Sequence, residues 1–220
     1  AVSLRQAEEA GCYLMEITAH SGARPDHAKW QGQLVTITGK DAGKIIDGLR
    51  VFTLSEIGYG SGEGFKGWNC RHNWHAYYPG FSTPNYTQEE LKKLDEPCIS
   101  YNGKLYTEYE VSQMQRAQER RVRAWKRRCI TAQESVNSAT DEATRATAQA
   151  EFDRSARYLK ANEAKLKDFC RQTVQDRDRF REQVLGFGRS EAQKAVHAAK
   201  RQEHALKGNY SVNFEKASGT

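Results

Sequence analysis

The 220-residue sequence predicts an α+β chain: a small glycine-rich α+β domain, then a long antiparallel helical hairpin and a short C-terminal helix. Three observations carry that prediction. Composition changes near residue 100, with twelve of the 17 glycines, three of the four tryptophans and all four prolines lying before it. That first part holds short runs of β-branched and aromatic residues flanked by glycine, the pattern of strands. After Gly103 there is no proline and almost no glycine until Gly186. Ala, Arg, Gln, Glu and Lys, which lose little freedom in a helix, dominate there instead. The expected divisions are 1–103, 104–207 and a loosely ordered tail at 208–220.

Each element has its own local reason. Leu4 to Leu14 reads as a short helix ending near Gly11. Gln33–Thr38 and Leu49–Leu54 read as strands. A helix is expected from about Thr107 to Thr131, with Val122, Trp125 and Cys129 as its apolar stripe. Around Val136–Thr140 the pattern breaks, and Ser138 with Asp141 makes a capping-box-like start for a helix from about Thr140 to Val184. Ala148, Phe152, Leu159, Leu166 and Cys170 approximate a heptad seam along it. Two such helices joined by a short polar link fold back on each other. Gly186-Phe-Gly188 ends the second, and Ser190 with Gln193 offers a capping box for the last helix.

Bulk properties exclude some classes. Only 38% of residues are hydrophobic and mean hydropathy is −0.84, which suits a modest core with long solvated helices. No apolar run approaches the roughly 18 residues of a membrane span, so no membrane partner is expected. The start carries no basic region followed by an apolar core, so no signal peptide is expected. Lacking an initiator Met, the chain reads as a processed product or a piece of something longer. The five cysteines, Cys12, Cys70, Cys98, Cys129 and Cys170, are odd in number and widely spaced, and read as reduced thiols. Net charge is +6 overall, shared as −2 over residues 1–100 and +8 over 101–220. The basic excess of the second half suits DNA or an acidic protein.

Three stretches carry chemistry. In the first, Glu16 to Gly32, His20 or His27 has the chemistry of a general base and Arg24 that of an anion clamp, as in a metal-independent ribonuclease or an acyl-transfer site. The alternative has Asp26 capping a helical turn while His27 and Trp30 pack on a sheet. In the second, Gly58 to His75, the glycines lack the Gly-Lys-Ser/Thr ending of a phosphate loop and read as a flexible loop or hairpin. Cys70, His72 and His75 have zinc-ligand chemistry, but Cys-x-His is tight and no second ligand pair follows. No metal and no cofactor is therefore expected; were a metal bound, His20 or His27 would have to complete its site. The bland reading is a turn in which Asn69 makes backbone hydrogen bonds, Cys70 is buried and Arg71 reaches a carboxylate or carbonyl. In the third, Arg116, Arg120, Arg121, Arg123, Lys126, Arg127 and Arg128 spread around a helix with Glu119 as the one acid among them. They could contact phosphates without reading sequence, or form a solvated face.

Taken together, "EITAHSGARPDHAKWQG", "GYGSGEGFKGWNCRHNWHAYYPGFS" and "YTQEEL", followed by "YEVSQMQRAQERRVRAWKR", "LKDFCRQT" and "VLGFGRS", resemble the phage minor capsid protein 2 family. That family is related to the broader MuF-like minor head proteins. The resemblance spans roughly residues 5 to 200 and implies a virion component at the phage head. It would be made in the host cytoplasm, with the portal or other head proteins as partners and a link to DNA packaging or ejection. Double-stranded DNA and an oligomeric state are compatible with it. The matching positions are His20, Ser21, Gly22, Arg24, Pro25, His27, Trp30 and Gly32, then Gly67, Asn69, Cys70, Arg71 and His72. It brings no catalytic role for any of them. Because related modules accompany toxins, the competing expectation is a nuclease-type effector using His20, Arg24, His27, Arg71 and His72.

Overall fold

The computed structural model describes residues 4–217, with side chains described as far as His204. The chain divides into two compact units, residues 1–112 and 113–220.

The first unit is built on a five-stranded sheet of order β3-β4-β2-β1-β5. Its strands are β1 (Leu14–Ile17), β2 (Leu34–Thr36), β3 (Ile45–Ile46), β4 (Leu49–Thr53) and β5 (Trp74–Tyr77). Helix α1 (Leu4–Glu9) precedes β1 and the single turn α2 (Pro25–Ala28) follows it. β1 is the hub, antiparallel to β2 on one side and to β5 on the other, while β2 runs parallel to β4. Both expected strands occur, as β2 and β4. β1 and β5 were not expected, and for β1 burial explains why. All four residues of β1 and all three of β2 are buried, so the polar–apolar alternation that advertises a half-exposed strand is missing.

Both sheet faces are packed. Met15, Ile17, Val35, Phe52 and Trp74 meet Trp30, Ile57 and Phe65 in one core cluster. Leu14, Leu34, Leu49, Val51 and Tyr77 form another. Burying each of these large side chains is worth about 1.5–3 kcal/mol. The register puts Glu16 beside Leu34 and His75, where it is only 1% exposed. Its carboxylate accepts from the Asn85 backbone N–H at 2.9 Å and from Asn85 Nδ2 at 2.6 Å, which offsets the cost of burying a charge. The loop between β4 and β5 closes on itself so tightly that a Cβ at Gly64 would lie 1.9 Å from the Gly58 carbonyl oxygen. Helix α3 (Gln88–Leu94) starts with a full capping box between Thr87 and Glu90. The hairpin of β6 (Ile99–Tyr101) and β7 (Lys104–Tyr106) turns at Asn102-Gly103, both at positive φ, the conformation a two-residue type I′ turn demands.

The second unit is helical: α4 (Glu108–Ser138), whose first turn belongs to the first unit, then α5 (Glu142–Gln172) and α6 (Arg189–Ala217). Trp125 stacks on Tyr158 with ring centroids 4.7 Å apart, and Ala132 and Ala148 line one groove. That opposed order makes α4 and α5 the antiparallel hairpin. Phe152, Leu159, Leu166 and Cys170 are buried as the seam required, with Val122 and Cys129 buried on α4. Ala195, Ala198 and Ala199 of α6 are buried too, small side chains that let helices approach closely.

The helix boundaries differ from the expected ones. α4 runs on to Ser138, whose hydroxyl donates to the Glu134 carbonyl, and Asp141 is the residue that caps α5, accepting from the Thr144 N–H at 2.8 Å. α5 ends at Gln172, not near Val184. Val174 turns to φ +53°, and the following segment is tied down instead of continuing the helix. Gln115 Nε2 donates to the Asp176 carbonyl, Lys126 Nζ to that of Glu182, and Arg123 to that of Arg181. Arg177 grips Glu182 through two bonds of 2.5 and 2.6 Å, with Glu182 only 1% exposed. At α6 the Gly188 N–H donates to Glu191, so the cap falls ahead of Ser190, and the helix is 29 residues long rather than short. Its backbone continues through the stretch from Gly208 assigned to a tail. The side chains from 205 on and residues 218–220 lie outside the described residues. None of the five cysteines is bridged.

Candidate functional site: a buried histidine cluster

The two motif stretches of the first unit meet. Arg24 enters α2 in an extended conformation and Pro25 fixes its first turn, a position where the missing N–H costs nothing. Asp26 lies in that turn without capping it; Arg24 is the N-cap, with no side-chain cap bond. The turn aims His27 inward, and Trp30 follows it onto the sheet, where both are buried. From the other stretch, Cys70 and His72 enter the cluster and Trp74 opens β5, while His75, next along that strand, points to its opposite face. His20 and His72 lie with ring centroids 4.3 Å apart, His27 and His72 at 5.4 Å, and Trp30 and His72 at 4.6 Å.

This parity decides the membership of the cluster. His27, Cys70 and His72 place one ligand-type atom each within 4.8 Å of one another. His75, the third member of the group suggested by local spacing, is instead in register with Glu16, on the far face from Trp74.

Gln31 holds the cluster together. Its Oε1 accepts from the His20 backbone N–H at 2.8 Å and faces His72 Nε2 at 3.0 Å. Since an N–H already donates to that oxygen, it is an acceptor, and His72 Nε2 carries the hydrogen. The lone pair of His72 is then on Nδ1, 3.5 Å from Cys70 Sγ. His20 Nδ1 donates to the Ser21 carbonyl at 2.8 Å, and its Nε2 is buried with no partner among the described residues. The Glu63 carbonyl lies 2.8 Å from His27 Nε2 and also accepts from the Arg24 guanidinium. Arg71 reaches the Ser21 carbonyl at 3.4 Å, while the Ser21 hydroxyl donates to Glu108 at 2.7 Å.

Burial sets the protonation state. It pushes His72 down to about 3, helped by the charges of His20, His27, Arg71 and Arg24. Burial also lowers His27, with Arg24 adding to it and the Glu63 carbonyl opposing. Both imidazoles are neutral near pH 7. A group titrating at about 3 is a weak general base at that pH.

The basic stretch on α4 divides between side chains held by the protein and side chains left exposed. Arg123 and Lys126 hold the 181–182 carbonyls, and burial lowers Lys126. Arg128 lies over the Trp125 ring at 4.5 Å. Arg116 is half-buried, whereas Arg120, Arg121 and Arg127 are exposed and make no ion pair among the described residues.

Sequence reading missed Gln31, Glu16 and Glu108. Gln31 sits inside the first motif, but an amide between Trp30 and Gly32 gives no local sign of what it will bind.

Fold and site define a class: a small, doubly covered mixed sheet whose motif residues interlock in its interior, followed by a helical unit. The chain belongs to the phage minor capsid protein 2 family, whose model matches residues 1–171. It is thus a phage structural protein. It is 31% identical over 137 residues to a structural protein of Lactococcus phage LL-H, covering 62% of this chain and 33% of that protein. To a structural protein of Lactococcus phage mv4 it is 36% identical over 86 residues, covering 39% of this chain and 61% of that protein. The chain therefore spans less than two thirds of either relative. No solved structure gives a significant match. Among the described residues no helix is long and apolar enough to cross a membrane.

Proposed function

We propose that the chain serves in the phage head beside the portal or another head protein, and that its histidine cluster holds the first unit together instead of performing catalysis. The observation that supports this reading is the burial of His27 and His72, 3% and 5% exposed, against Trp30. Groups buried this far, neutral and tied to backbone carbonyls and an amide, fit a packing role better than proton transfer with a substrate. Two experiments test the reading. Co-expression with the portal protein of the same phage, followed by size-exclusion chromatography, should give a complex, and mass spectrometry of purified virions should find the chain at low copy. Two separate species and no peptide in the virion would sink it. Inducible expression in a bacterial host should leave growth and RNA intact; growth arrest with RNA loss, relieved by His20→Ala and by His72→Ala, would establish the effector reading instead.

A second role, contact with double-stranded DNA, is favoured by the exposed cations Arg120, Arg121 and Arg127. Such contact reads phosphate, not sequence. Affinity should fall with salt by about 0.9 log unit per log unit of salt for each phosphate neutralised. Binding that ignores salt, or no binding at low salt, would remove this role.

A further inference from the structure

We infer that His27, Cys70 and His72 form a site for one divalent transition-metal ion, with zinc the metal whose ligand preference they match. The inference rests on the cluster's geometry and is independent of any portal contact.

Zinc is held by cysteine sulfur at about 2.3 Å and histidine nitrogen at about 2.0–2.1 Å in a tetrahedron, which puts ligand atoms roughly 3.3–3.7 Å apart. Cys70 Sγ and His72 Nδ1 already stand 3.5 Å apart, and His27 offers its atom within 4.8 Å of both. One further closure of about an ångström completes a three-ligand set. A mixed sulfur–nitrogen set of this kind suits zinc and discriminates against magnesium or calcium, which require oxygen.

The surroundings match what ligating histidines need. A metal-bound imidazole ordinarily donates its other N–H to a carbonyl or carboxylate, which fixes the ring and the tautomer. His72 Nε2 does this toward Gln31 Oε1, leaving Nδ1 directed at Cys70. The Glu63 carbonyl stands 2.8 Å from His27 Nε2, a nitrogen that the Arg24 guanidinium also approaches at 2.6 Å. The buried, partnerless Nε2 of His20 is a second sign of a missing partner, and its ring stacks near that of His72. The fourth position of the tetrahedron is open to His20 or to water. Charge is tolerable: a Cys70 thiolate cancels one of the two metal charges, and Asp26 stands 3.4 Å from Arg24 to offset the nearest guanidinium. The ion would clip the His20–Gly32 stretch to the Gly58–His75 stretch, which are otherwise joined here by hydrogen bonds and ring contacts.

The experiment is a metal titration of the full chain after chelator treatment, with folding checked by circular dichroism. Zinc against a chromogenic competitor should bind at one equivalent per chain and raise the thermal midpoint. Cobalt(II) should show tetrahedral bands and a thiolate charge-transfer band. Cys70→Ser, which keeps the side chain's size, should fold and lose that band; Cys98→Ser, at an exposed thiol, should keep it. Gln31→Ala leaves all three ligands in place and should weaken zinc binding about 10–100-fold. The proposal is overturned if the folded parent takes up no stoichiometric metal, if its cobalt form lacks the thiolate band, or if the band survives Cys70→Ser or disappears with Cys98→Ser. Should Cys70→Ser not fold, the decision passes to Gln31→Ala, where unchanged affinity overturns it.

Discussion

The two units solve the same problem by opposite means. Residues 1–112 are held by partners far apart in sequence: Glu16 with Asn85, Gln31 with His72, Tyr77 with Asp47. Most of these bonds are specific and polar, made inside or at the edge of a sheet buried on both faces. Residues 113–220 rest on a repeating apolar seam, with one dense polar knot where Arg177 binds Glu182 beneath α4. The first unit depends on shape at single points, the second on summed burial along its helices. The contrast teaches that one substitution of a single methyl group can be ruinous in one half and trivial in the other.

Gly64→Ala should break the first unit most completely. Its Cβ would fall on the Gly58 carbonyl, a backbone group that cannot yield cheaply. A loss on the order of 4 kcal/mol is expected, read by chemical denaturation as loss of most of the near-ultraviolet tryptophan signal, with the part from Trp125 and most helical signal persisting. Simultaneous loss of both signals at the same denaturant concentration would show that the units are not energetically separate. In the second unit Arg177→Ala strands a buried carboxylate. The expected cost is about 3 kcal/mol, the low end for a broken buried pair, because Arg177 keeps 13% exposure. A change below 1 kcal/mol would mean that the knot contributes little.

Smaller effects sharpen the contrast. Asp141→Ala removes the α5 cap and should cost about 1 kcal/mol, visible as a lower thermal midpoint for the helical unit alone. Replacing Arg120, Arg121 and Arg127 together by Gln should shift stability by no more than about 0.5 kcal/mol while flattening the salt dependence of DNA binding. An unchanged salt slope would detach these cations from any phosphate contact.

The second unit was the more legible of the two, because its seam of Phe152, Leu159 and Leu166 declares itself within one helix. What the seam cannot declare is where the helix stops. Val174 carries no glycine or proline warning, and it turns because the loop beyond it finds better partners on α4. In the first unit β2 and β4 were readable from their β-branched content, while β1 was hidden by burial on both faces. The Asn102-Gly103 pair carries a local hairpin signal that the sequence reading passed over. For the candidate site, the right motif stretches were recognisable but not their grouping. Cys70, His72 and His75 look like a set along the chain, whereas alternation in extended backbone sends His75 to the opposite face and brings in His27 from more than forty positions away.

The position of β1 between β2 and β5 bears on how the chain is made. One of the two strands that flank β1, β5, is encoded some sixty residues after it. At about 5–20 residues per second of synthesis, β1 waits roughly 3–12 s with an open edge of unpaired backbone and apolar side chains. Nascent chains in this state are exposed to mispairing with one another, so the yield of this unit depends on how soon β5 follows as well as on its final stability.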